Sequence, residues 1–453
     1  MSNPMTTQTS LDPLTGLDTE RLRSHVADQL LRARDRSVAL TDAVDDDDLA
    51  RQHSPLMSPL VWDLAHIGNQ EELWLVRDVG GRDPVRADID ELYDAFKHSR
   101  SHRPRLPLLG PAEARGYVRE VRDKVLDVLD HSPLEGGALV QDAFAFGMVA
   151  QHEQQHDETM LATHQLRVGA PALQAEEPPT AQVRLPAAEV LVPAGEFMMG
   201  TSTEPWALDN ERPAHPTYTE AFFIDTAPVT YGEFLRFAEA GGYDDPRWWS
   251  EAGWKHRVDA DLHAPKFVER DGQGWQRIRF GSVEPVRVDE PVTHVGFYEA
   301  EAYAAWAGKR LPTETEWEKT ARFDAATGRS RRYPWGDENP GIEHANLGQR
   351  HLRAAPVGAY PAGASPLGVH QLIGDVWEWT ASDFLPYPGF EVFPYAEYSQ
   401  VFFGGSYKVL RGGSFGTDQV ACRGTFRNWD HPVRRQIFAG FRCARDARPE
   451  ELS

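Results

Sequence analysis

Phe144-Ala145-Phe146-Gly147-Met148-Val149-Ala150-Gln151-His152-Glu153-Gln154-Gln155-His156-Asp157-Glu158-Thr159-Met160 places Phe144, Met148, His152, His156 and Met160 at every fourth position. That spacing sets them in one stripe along a helix, predicted from about Asp142 to His164, and a stripe that is otherwise apolar faces the interior of a helical domain. Two imidazoles one turn apart on such a face can share a metal ion. A third ligand is then needed. His66 is the other histidine set in an apolar helix of the same region, which Ser58 as N-cap and Pro59 in the first turn are predicted to open through Leu60, Leu64 and Ile67 towards Trp74. Standing alone it would be an ordinary hydrogen-bonded core histidine; beside the pair it completes a His66, His152, His156 set.

Around these helices, residues 19–167 are rich in Ala, Leu, Arg and Glu with few internal glycines, the pattern of an antiparallel helix bundle. Residues 1–18 are expected to be a disordered tail. Residues 168–189 lose periodicity and gain proline, which marks a linker. From Val190 to the end, Gly and Pro punctuate short runs such as Phe222-Phe223-Ile224 and Val409-Leu410-Arg411, so the second domain is predicted as loop-rich mixed structure. Two helices stand out there. One covers Tyr298 to Ala307 and ends at Gly308, with Lys309 and Arg310 at its negative pole. The next opens with a Thr313/Glu316 capping box.

The chain has 453 residues, too many for one ordinary core, and two domains fit it. Its 41% hydrophobic and 26% charged residues describe a globular protein. A net charge of -22 disfavours nucleic acid and anionic membrane surfaces and suits small-molecule substrates. Two cysteines, Cys422 and Cys443, are too few for a disulfide framework or thiolate cluster. With no apolar leader or long apolar run in view, a cytoplasmic protein is expected. A monomer is expected as well.

His152-Glu153-x-x-His156 also matches the pattern of zinc peptidases, with Glu153 as general base. Against that zinc metallohydrolase reading, no further ligand helix follows before Gly169 and Pro171. Glu158 allows a two-histidine, one-carboxylate variant, but two residues beyond His156 it points to another side of the helix, where holding an imidazole suits it better.

With the histidines so placed, the first domain resembles the DinB-like helical domain, and His152-x-x-x-His156-x-Glu158 resembles the signature of its iron-binding sulfoxide synthase branch. The second resembles the formylglycine-generating-enzyme, or sulfatase-modifying-factor, family, a variant of the C-type lectin fold. Its marks are Val192-Pro193-Ala194-Gly195-Glu196-Phe197, Arg310-Leu311-Pro312-Thr313-Glu314, Tyr333-Pro334-Trp335-Gly336, Gly374-Asp375-Val376-Trp377-Glu378-Trp379, Leu410-Arg411-Gly412-Gly413-Ser414 and Gly440-Phe441-Arg442-Cys443. The resemblance implies an α+β protein of two domains, a four-helix bundle joined to a loop-rich lectin-like fold. The combination resembles the actinobacterial sulfoxide synthases of the ergothioneine pathway. It implies an Fe2+ enzyme joining γ-glutamylcysteine, or cysteine in related synthases, to Nα-trimethylhistidine (hercynine) with O2. Three imidazoles on one face of an octahedral ferrous ion would leave three positions open.

From the same resemblance Tyr395, with Tyr398 in reserve, is the expected donor of a proton or hydrogen atom, and Gln155 orients the hercynine imidazole. Asn428, Trp429 and Asp430 anchor the carboxylate, trimethylammonium and γ-glutamyl ammonium groups. Arg100 and Arg103, read alone as a solvated basic face, become a clamp for γ-glutamylcysteine carboxylates. A true formylglycine-generating oxidase would need a cysteine pair, and Phe415-Gly416-Thr417-Asp418 supplies Cys422 with no partner. A purely carbohydrate-binding module rests on fold alone. Trp317, Trp377 and Trp379 read as core and loop anchors.

Overall fold

The computed structural model describes Leu14 and residues 17–185, 188–272 and 274–452. Most of the tail expected at 1–18 lies outside those residues. Asp18 is inside them, and its carboxylate accepts from Arg21 N at 2.9 Å to cap the first helix. Four long helices build the first domain: α1 (Thr19–Asp42), α2 (Leu60–Glu71), α3 (Pro111–His131) and α4 (Phe144–Leu166). The chain continues from α2 as a π-helical segment over Glu72–Val79.

Two predicted boundaries shift. Pro59, not Ser58, occupies the cap of α2, which has no side-chain cap; the Ser58 hydroxyl instead accepts from Arg103 at 2.6 Å. The start of α4 moves from Asp142 to Phe144 because Asp142 and Ala143 both take left-handed backbone, at φ 52° and 58°. The bundle core contains Leu30, Leu64, Val121 and Phe146. It also holds a buried ion network. Arg34 and Arg122 each donate to both Glu71 and Glu153, and Ser37 Oγ donates to Glu153 at 2.8 Å.

In the second domain the strand Trp377–Phe384 pairs antiparallel with Gly404–Arg411, which pairs antiparallel with Asn428–Asp430; Ala439–Gly440 adds in parallel on the other side. A second sheet joins Glu189–Val192, Phe222–Asp225 and Ala444–Asp446. The predicted helices appear at Phe297–Trp306 and Glu314–Arg322. Gly308 ends the first at φ 70°, and the Thr313/Glu316 box opens the second. The sequence motifs interlock. Arg411 donates to Glu314 and Glu318, Arg442 to Glu378, and Trp317 Nε1 to Glu378 at 2.8 Å. Gly412 must be glycine, since at φ 96° a Cβ would lie 2.4 Å from the Leu372 carbonyl oxygen.

The domains dock along α4. Trp206 lies flat against Gly147, where a Cβ would fall 2.3 Å from a ring carbon, and its indole nitrogen donates to the Asp142 carbonyl at 2.9 Å. Gly147→Ala is therefore expected to destabilise the protein by about 1–3 kcal/mol through overpacking. Gly116→Ala on α3, where a Cβ meets nothing within 4 Å, should instead stabilise by up to about 1 kcal/mol. Urea unfolding of the two variants checks the contrast.

Candidate functional site

His66 reaches inward from α2 and His152 and His156 from α4. Their ring centroids are 4.6 to 5.1 Å apart, and one nitrogen from each lies within 4.8 Å of the others. Two of the rings are oriented from behind. His66 Nδ1 donates to the Tyr93 carbonyl at 2.7 Å, and His156 Nδ1 donates to Asp63 Oδ1 at 2.9 Å, which leaves each Nε2 lone pair for the centre. His66 also stacks on Trp62 at 4.6 Å. Burial, followed by the neighbouring imidazoles, pushes the pKa of His66 and His152 well below the ordinary histidine value. Neutral imidazoles are what a divalent ion needs as ligands, so the donor set fits a metal.

The histidines form one wall of a cavity of about 600 Å³. The second domain supplies much of the rest. Tyr395 and Tyr398 come from the long connection between Trp377–Phe384 and Gly404–Arg411, and Asn428, Trp429 and Asp430 come from the strand beyond. Gln155 Nε2 donates to the Tyr398 hydroxyl at 3.1 Å. Trp429 is backed by Phe384, stacked at 4.2 Å. Burial raises the pKa of both tyrosines, so each keeps its proton at neutral pH. Burial also raises that of Asp430, against which Arg434 and the His431 backbone N–H act.

Comparison with known proteins matches residues 29–160 to the DinB superfamily and residues 174–447 to the sulfatase-modifying factor enzyme 1-like domain. A hercynine oxygenase of Mycobacterium tuberculosis is 55% identical over 432 residues, covering 94% of this chain and 99% of that protein. This chain belongs to the hercynine oxygenase family. A second hercynine oxygenase, from Mycolicibacterium thermoresistibile, is 54% identical over 94% of this chain and 95% of its own. The formylglycine-generating enzyme of Streptomyces coelicolor is 36% identical, over 61% of this chain and 95% of that protein. Among the described residues no helix is long and apolar enough to cross a membrane.

Against the predicted site of a hercynine oxygenase, most of the residues converge. His66, His152, His156, Gln155, Tyr395, Arg100, Asn428, Trp429 and Asp430 all line the cavity. Arg103 does not share that wall. Its guanidinium lies 3.5 Å over the Trp62 ring and donates to Ser58 Oγ and the Ala95 and His98 carbonyls, so its donors are committed to the protein. Of the two arginines expected as a clamp, Arg100 lines the cavity, while Arg103 lies over Trp62, which itself stacks on His66.

The two glutamates near the histidine pair also find other work. Glu153, the base of the hydrolase reading, points into the bundle, bound by Arg34, Arg122 and Ser37. Burial pushes its pKa up, but the two arginines outweigh burial and hold it below the usual carboxylate range, the reverse of what a general base near neutrality requires. Glu158 holds no imidazole; it accepts from Trp377, Ser414 and Thr417 of the second domain. The imidazole-holding carboxylate is Asp63, which sequence reasoning missed although it sits one turn before His66 on α2. Cys422 and Cys443 are both buried, and neither lines the cavity. Trp317 and Trp379 are core, and Trp377 is both an anchor and a cavity wall.

Asp63→Asn keeps the shape of the side chain but exchanges a charge-assisted bond for a neutral one. Metal affinity, measured by competition with a chromogenic chelator, is expected to fall about 10- to 100-fold.

Proposed function

We propose that this chain is a hercynine oxygenase acting on γ-glutamylcysteine. It forms a bond between the thiol sulfur and the imidazole C2 of hercynine, with one oxygen atom of O2 entering the sulfoxide and the other leaving as water. The observation that carries the reading is the convergence of three imidazoles on a cavity completed by a second domain, in a chain 55% identical to a hercynine oxygenase. Ferrous iron bound by His66, His152 and His156 would supply the Lewis acidity and redox capacity that O2 chemistry demands.

The remaining roles belong to the chain. Gln155 orients the imidazole of hercynine through its amide. The Trp429 face takes the trimethylammonium group, Asn428 donates to the hercynine carboxylate, and Asp430 binds the γ-glutamyl ammonium. Arg100 binds a carboxylate of the thiol substrate. Tyr395 holds the proton delivered during turnover, with Tyr398 kept in place by Gln155. The raised pKa of both phenols keeps them protonated before the reaction. A cytoplasmic monomer completes the proposal.

Anaerobic reconstitution with ferrous iron, then addition of oxygen, hercynine and γ-glutamylcysteine, tests it by mass spectrometry. A sulfoxide containing both substrates is the expected product. No product and no oxygen uptake with either thiol, despite bound iron, overturns it. Tyr395→Phe is expected to lower product formation by about 100-fold or more, the scale of a lost general acid, while Tyr398→Phe loses less; the reverse order would exchange their roles.

A further inference from the structure

The stretch after Ser414, Phe415-Gly416-Thr417-Asp418, gives Cys422 no partner and has no task in the proposed reaction. In the folded chain it lies against α4, the helix that carries two of the three metal-site histidines. Glu158 accepts from Ser414 Oγ at 2.5 Å, from Thr417 Oγ1 at 2.7 Å and from Trp377 Nε1 at 2.8 Å. Both hydroxyls are themselves aimed by backbone donors: Gly416 N donates to Ser414 Oγ at 3.0 Å, and Ser414 N donates to Thr417 Oγ1 at 2.9 Å. Each hydroxyl hydrogen is thereby directed at the carboxylate, and bonds arranged in such a chain reinforce one another.

We propose that Ser414–Asp418 is a latch that sets the register of the second domain on the metal-bearing helix, with Glu158 as its receptor and so a positioning residue for the substrate cavity. Three further contacts mark the loop as a docking element. Gly416 approaches α4 so closely that a Cβ would lie 3.1 Å from Glu158 Cγ and 3.3 Å from Leu161 Cδ2. On α1, Arg32 pairs with Asp418 at 2.9 Å, and Arg36 donates to the Gly348 carbonyl while Gly348 N donates to the Thr417 carbonyl at 2.8 Å.

The latch connects directly to the cavity. Trp377 is at once a donor to Glu158, a cavity wall and the first residue of the strand Trp377–Phe384. Through that strand Trp379 is in register with Leu410, and Leu410 with Asn428. The separation between His156 and the strand bearing Asn428, Trp429 and Asp430 is thus set where Glu158, two residues beyond His156, meets the loop.

The test uses the full chain with Glu158→Gln, Thr417→Val and the double variant, and three readouts. Hydrogen exchange of residues 412–418 is expected to quicken about 10- to 100-fold in Glu158→Gln, the scale of a lost charged hydrogen bond. Affinity for Co2+ should stay at the wild-type value, and KM for both organic substrates should rise more than kcat falls. The double variant should be no worse than Glu158→Gln alone, since both remove the same contact. Metal affinity falling in step with activity would overturn the proposal and assign Glu158 to the metal site; so would unchanged loop exchange, or independent, multiplying effects. Should Glu158→Gln fail to fold, Thr417→Val alone must quicken loop exchange, and unchanged exchange sinks the proposal. Only the kinetic readout rests on the proposed activity: a wild-type protein without product refutes that activity, while exchange and metal affinity still decide the latch.

Discussion

His152→Ala is expected to abolish metal retention and product formation together while leaving the fold intact. Among the described residues, the imidazole of His152 is one of three converging donors at the centre. Losing a residue that merely supports a ligand costs about 10- to 100-fold in affinity or activity, so losing a ligand should exceed the upper figure. His152 is the better choice for this test than His66, which is almost wholly buried and stacked on Trp62, so that its removal would also open a core cavity. Metal content after gel filtration, far-ultraviolet circular dichroism and product mass spectrometry separate the outcomes. A variant that keeps its metal and its turnover would remove the three-histidine centre from consideration.

Arg122→Ala should cause the largest loss of stability. Its guanidinium joins Arg34 in neutralising Glu71 and Glu153 inside the bundle, with Glu153 2.6 Å away and the Leu30 carbonyl as a further acceptor. Its removal leaves two buried carboxylates with one cation, for an expected cost of about 3–5 kcal/mol by urea unfolding. The pH dependence follows from the same network. Glu153 has a folded pKa depressed below its ordinary 4.5, so its contribution is fully present above that value and is lost as pH falls from about 4.5 towards about 2. In Arg122→Ala the depression shrinks, so the acid loss from Glu153 still begins near 4.5 but is smaller and is complete at a higher pH. Wild-type stability and acid sensitivity in that variant would show the network to be dispensable.

The helical stripe Phe144, Met148, His152, His156, Met160 made the metal pair legible, because periodicity 3.6 fixes which side chains share a face whatever packs on it. The motifs around Arg411, Glu378 and Arg442 announced the second domain, since their charged groups can be buried only against one another. Asp63 was within reach too, one turn from His66, but a carboxylate's partner is not encoded in its own helix.

What the sequence by itself determined is the local half of this protein: the bundle helices, the i, i+4 histidine pair, the capping box at Thr313 and the class of both domains. Only the tertiary structure decided that Arg103 is committed to Trp62 and Ser58 while Arg100 faces the cavity, that Glu153 serves the bundle and that Glu158 serves the domain junction. The physical reason is common to all of them. Helical spacing dictates the direction in which a side chain leaves the backbone, whereas the charge or donor that it meets there comes from a segment up to 259 residues away.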